Sequence, residues 1–122
     1  MGTLVPDSGI DLGADLWQLY HAGKVSLPAV AREFALACNQ IRYAREDARP
    51  AFQRPAKFGG TTGPVCSAWL EFAATVARFL AQTGDNLEDT GAALILATEI
   101  YADADFAASS ELERLKQQNN VW

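Results

Sequence analysis

Few side chains in this sequence have the types and spacing that chemistry needs. His21 is the single histidine, and a metal site or a general base built on it would need partners. Asp11, Asp15 and Cys38 stand at no recognised ligand spacing from it, so no metal is expected. Nucleophilic catalysis requires a Ser or Cys beside a base, and no stretch of the chain sets one up. Glu88 with Asp89, and Asp103 with Asp105, are carboxylate pairs of the kind acid/base chemistry uses. Each pair falls on a polar helical face, where solvated acids are the rule. The GGTTGP stretch, residues 59–64, has the glycines of a phosphate loop without its lysine. Cys38 and Cys66 are too few for a disulfide framework and read as two buried free thiols. These residues predict no catalytic group, no cofactor and no metal. One pair remains, Tyr101 and Asp105, whose four-residue step would put a phenol and a carboxylate on one face of a helix.

The bulk properties narrow the class. At 122 residues the chain is long enough for one domain with a modest core, residues 1–122. With 49% apolar and 20% charged residues it has the balance of a folded globular protein. A net charge of −5 with scattered Lys and Arg speaks against nucleic acid and anionic membrane surfaces. No apolar run approaches the ~18 residues of a spanning helix, so no membrane insertion is expected. The opening MGTLVPDSGIDLG lacks the basic start and apolar core of a secretory signal, so export would use another route.

Strand patterns are nearly absent and alanine recurs throughout, which predicts an all-α fold. A short helix over 11–22 is expected from the Asp11 cap to Gly23. From Ser26, a stripe at alternating three- and four-residue steps runs through Leu27, Val30, Phe34, Ala37, Ile41, Ala44, Ala48 and Ala51, predicting a first long helix over 26–51. Pro50, Pro55 and FGGTTGP place a turn at 53–64. A second stripe follows through Trp69, Phe72, Val76, Phe79, Thr83, Leu87, Thr90, Leu94, Ala97 and Tyr101, with one stutter between Thr83 and Leu87. It predicts a second long helix over 65–108, with a kink near Gly84 as the alternative to one continuous rod. Ser110 and Glu113 form a capping box for a last helix over 111–118, before a loose NNVW tail. Two long helices joined by a short turn make an antiparallel hairpin.

A hairpin can cover one stripe per helix, yet the second helix also carries Leu70, Ala74, Ala77, Leu80, Ile95, Leu96 and Ile100 outside its stripe. Apolar surface on this scale predicts a partner, homotypic or heterotypic, that completes a four-helix bundle. The expected interface comprises Trp69, Leu70, Phe72, Val76, Phe79, Leu80, Leu87, Leu94 and Ile95.

The segment LEDTGAALILATEIYADADFAAS, with Leu87, Thr90, Thr98, Tyr101 and Asp105, resembles the C-terminal half of small helical-hairpin proteins of actinobacterial type VII (ESX) secretion systems. In that family Tyr-x-x-x-Asp/Glu at the far end of the second helix is the export signal. Tyr43 and Asp47 share the spacing but lie within the first helix, so the resemblance assigns the signal to Tyr101 and Asp105. Trp69 is followed by Leu70 and Glu71 instead of the family's Trp-x-Gly, which makes the chain more similar to the EspC-like, secretion-associated branch of the Trp-x-Gly superfamily. The resemblance implies a secretion substrate or co-secreted targeting factor. It would pair with another hairpin protein, or with the helical N-terminal domain of an effector or toxin, or with itself when alone. It would be read by the secretion ATPase, and would be secreted or held in the cell envelope with a cytoplasmic pool before export. The rival expectation is an intracellular chaperone or immunity-type adaptor that shields a toxin segment.

Overall fold

The computed structural model describes residues 8–53, 57 and 63–122. Its elements are all helical: α1 (Ser8–His21), a π-helical turn (Ala22–Ser26), α2 (Leu27–Glu46), α3 (Ala48–Phe52), α4 (Gly63–Asp103) and α5 (Phe106–Gln118). Among the described residues there is no strand, and no helix is long and apolar enough to cross a membrane. Contacts group the chain into two compact units, one of residues 1–29 with 87–122 and one of residues 30–86.

The break expected at Gly23 does not occur. His21 and Leu27, on either side of the π turn, both have right-handed helical dihedrals, and the Leu27 N–H donates to the Ala22 carbonyl five residues back. The widened turn has a steric reason. Pro28 lacks an N–H, and in a regular α-helix its ring collides with the carbonyl four residues earlier. That residue is Lys24, inside the π turn. Another proline breaks the helix further on. Pro50 would meet the carbonyl of Glu46, where α2 ends, so the expected 26–51 helix is split at Asp47 into α2 and α3. Gln53 then turns extended, and most of the expected 53–64 turn lies outside the described residues.

Helix α4 is uninterrupted through Gly84 and Gly91 and stops at Asp103 instead of 108. It closes with the Ala104 N–H on the Tyr101 carbonyl (3.2 Å) and the Asp105 N–H on the Ala102 carbonyl (3.1 Å). Asp105 is extended, at φ −145° and ψ 112°, and its carboxylate accepts from the Ala108 N–H at 3.1 Å. This is an N-cap. It starts α5 five residues before the expected 111, so Ser110 lies inside the helix and caps nothing. The tail is ordered further than expected: Asn120 adopts φ 58°, and the Val121 N–H returns to the Lys116 carbonyl at 2.9 Å, closing the helix in a left-handed cap.

In the first unit, Leu16, Tyr20, Ala102, Ala108 and Leu112 form the core, with Leu12, Trp17, Ile95 and Val121 packed against it. Helices α1 and α5 run parallel and close together. A methyl on Gly13 would lie 2.7 Å from Glu111 Cβ and 2.9 Å from the Ala108 carbonyl oxygen. Lys116 Nζ sits 4.3 Å from the centre of the Tyr20 ring and also pairs with Glu113. His21 is half-buried beside Trp17, with ring centres 5.4 Å apart.

In the second unit, α2 and α4 run antiparallel. The Cys38 thiol donates to the Ala77 carbonyl at 3.3 Å, while a methyl on Gly84 would touch the Ala31 carbonyl oxygen and Phe34 Cβ at 3.5 Å. Cys38 and Cys66 are both buried and free.

Candidate docking surface

The side of α4 that is buried in each unit carries small side chains, not the large ones of the expected stripe. The buried residues of α4 are Cys66, Ala73, Ala77 and Gly84 in one unit, and Gly91, Thr98 and Ala102 in the other. Their separations are fours and sevens throughout, which is an unbroken helical stripe without a stutter. At Phe72, Val76, Thr83, Thr90, Ala97 and Tyr101 the buried residue is the next one along the chain. One residue is about 100° of helix rotation. The expected stripe therefore points sideways from the contact that the chain makes with itself. On α2 the offset repeats, with Ala31 and Cys38 buried in place of Val30 and Ala37.

The second unit consequently presents an apolar flank. Phe72 is 62% exposed, Phe79 65% and Val65 65%, while Trp69, Leu70, Val76 and Leu80 are half-buried. Phe34 and Ala37 of α2 meet Leu80 of α4 in a notch of about 160 Å³, to which Glu33 also contributes. Trp69 and Phe72 lie with ring centres 6.4 Å apart. Val65, Trp69, Phe72, Val76, Phe79 and Thr83 keep alternating four- and three-residue steps, the spacing with which one helix grips another. Covering the exposed part of Phe72 and Phe79 would stabilise a complex by about 1–2 kcal/mol for each ring.

The three expected interface residues of the first unit have a different environment. Leu87, Leu94 and Ile95 are half-buried, with Ile95 packed on the core and Leu94 beside Gly23. In their place Leu96, Ile100 and Phe106 are exposed, Phe106 at 86%. Leu96 and Ile100 are among the surplus apolar residues that the sequence marks. Phe106 was missed, because a helix expected to reach 108 hides that it opens a new one.

Tyr101 is 61% exposed, so it is not the last buried knob of a stripe. Asp105 lies beyond the end of α4, and its extended backbone removes the one-face geometry that a continuous helix would give the pair. Tyr43 is as open as Tyr101, and Asp47 likewise follows a helix end; unlike Asp105, its side chain makes no cap hydrogen bond. Exposure does not separate the two motifs. What separates them is that only the carboxylate of Asp105 is held in place.

Among the described residues, no cluster of three or more His, Cys, Asp or Glu side chains could hold a metal ion. Compared with family models, curated proteins and solved structures, the chain matches none.

Proposed function

We propose that this chain is a type VII secretion substrate or co-secreted partner that pairs with another helical hairpin, that of a larger effector or toxin, through the apolar flank of residues 65–83. The observation that carries the proposal is the flank itself: regularly spaced apolar side chains, two of them phenylalanines more than half exposed, on a helix whose opposite packing is already satisfied by small residues. Exposed apolar patches of this kind are usually interaction sites. Tyr101, open at the end of α4, and Asp105 form the export signal in this proposal, and the secretion ATPase is its reader. A specific observation favours the rival, an intracellular chaperone or adaptor: the Asp105 carboxylate is already engaged by the Ala108 N–H.

The test is export into culture filtrate from a host with an active type VII system, with melting temperature followed in parallel. Tyr101→Ala should block export while folding is kept, and Tyr43→Ala should not. Asp105→Ala also removes the cap of α5, at a cost of about 1 kcal/mol. Asp105→Asn keeps an oxygen that accepts from Ala108 and removes only the charge, so it separates signal from stability. Export of both Tyr101→Ala and Asp105→Asn at the wild-type level would exclude the secretion assignment and favour the chaperone.

A further inference from the structure

The other flank of the same helix pair has opposite chemistry. Residues three before and three after a helical position lie on opposite sides of it. Ala74 and Leu80 thus flank Ala77 on different sides, and where Leu80 faces the apolar notch, Ala74 faces a groove of about 300 Å³. Its lining is Arg42 and Arg45 from α2, Ala74 and Ala77 as the floor, and Arg78 from α4.

Three arginines line the groove and, among the described residues, no carboxylate does. Among the described residues the ion pairs are Arg114 with Glu111 and Lys116 with Glu113, both within α5. The nearest acids along the two helices, Glu46 and Glu71, do not line the groove. Arg78 makes one long hydrogen bond, Nη2 to Thr75 Oγ1 at 3.4 Å. The groove also sits in the cationic part of an acidic chain. Residues 30–86 hold seven Lys and Arg against five Asp and Glu, whereas the rest holds three against ten. Neighbouring positive charges repel each other, and an anion bound among them would relieve that repulsion.

We propose that the groove binds a diphosphate group carried by a small molecule. Arginine forks match phosphate oxygens two at a time. A single carboxylate would leave two of the three cations uncompensated, whereas a diphosphate carries several negative charges across linked tetrahedra. The alanine side chains of the floor carry no polar atom to compete and are small enough to leave room for the group. A nucleic-acid backbone is a poorer fit, because its affinity comes from a long track of cations, and here they are confined to one groove. The apolar flank plays no part in this site, so the site stands whether or not a hairpin partner binds.

The probe is inorganic pyrophosphate, titrated calorimetrically into the full chain at low salt, with sulfate at matched ionic strength as control. Saturable binding at least about tenfold tighter than sulfate is expected, with each of Arg42→Ala, Arg45→Ala and Arg78→Ala weakening it by about tenfold. Arg→Lys variants keep the charge and lose the fork, so they should also weaken binding. All three side chains are exposed, and unchanged melting curves will show that the variants fold. A nucleoside diphosphate binding as tightly as pyrophosphate would place recognition on the diphosphate itself. No saturable binding, equal binding of sulfate, unchanged binding by the triple alanine variant, or tighter binding of a single-stranded oligonucleotide would each overturn the proposal.

Discussion

Two glycines on one helix should respond to the same substitution with opposite signs. Glycine in a helix interior costs about 1 kcal/mol against alanine, so Gly84→Ala and Gly91→Ala begin with the same gain. The surroundings then diverge. A methyl on Gly84 meets the Ala31 carbonyl oxygen and Phe34 Cβ at 3.5 Å, ordinary van der Waals contact. On Gly91 it would lie 2.7 Å from the carbonyl oxygen of Gly23, and on Gly23 2.5 Å from that of Gly91. Both obstacles are backbone atoms, which cannot rotate away. The helices would have to separate, and overpacking of this sort costs about 1–3 kcal/mol, at the upper end here because two backbones must move. Gly84→Ala should therefore stabilise by up to about 1 kcal/mol, and Gly91→Ala should destabilise by about 1–2 kcal/mol net. Around 120 residues, each kcal/mol shifts the melting temperature by about 4 °C. The double variant Gly23→Ala with Gly91→Ala should lose less than the sum of its parts, since helices already pushed apart accommodate the second methyl more cheaply. Thermal melts followed by circular dichroism compare the wild type with the three single variants and the double variant. If Gly91→Ala is stabilised like Gly84→Ala, the Gly23–Gly91 approach is not the contact that selects glycine there.

Phe79→Asp, which the sequence pattern marks as a core lesion, should leave the melting temperature almost unchanged, because the ring is 65% exposed. The same variant should lower binding of an apolar dye such as ANS to the folded protein; a large loss of stability would show that Phe79 is covered within the chain. For pH, the two hydrogen bonds from Arg114 hold the Glu111 carboxyl below its ordinary value of 4.5, helped by the guanidinium charge. A lowered folded-state pKa adds stability above the unfolded value and loses it as pH falls. The small advantage of wild type over Glu111→Gln should thus be steady near neutrality and fade below pH 4.5, and should shrink with added salt because the pair is exposed. An advantage that grew on acidification would refute the pairing.

The helical class and the continuity of α4 were legible because alanine content and apolar periodicity report them directly, and the two buried free thiols because two cysteines are too few for a disulfide framework. Which side of a helix the chain covers for itself was not. Apolar periodicity picks out the largest side chains, Phe72, Val76 and Phe79, and assigns them to the inside. Close helix approach instead selects the smallest: Ala77 against Cys38, Gly91 against Gly23. Two stripes one residue apart both read as seams, and only size tells them apart, since backbones can meet across glycine and alanine but not across phenylalanine. Local boundaries failed for a related reason. Gly23 fits a helix cap and a close helix contact equally well from sequence, and the choice depends on Gly91, far along the chain. Asp105 likewise fits a recognition motif and an N-cap, and the structure gives its carboxylate to the Ala108 N–H. The arginine groove was illegible for a third reason: Arg42 and Arg45 are near neighbours on one helix, and only the antiparallel register, set by Cys38 against Ala77, brings Arg78 to them. Misassigned seam and overlooked groove thus have one cause. Both follow from the rotation of α4 that small residues impose, which turns its phenylalanines to one flank of the helix pair and Arg78 to the other.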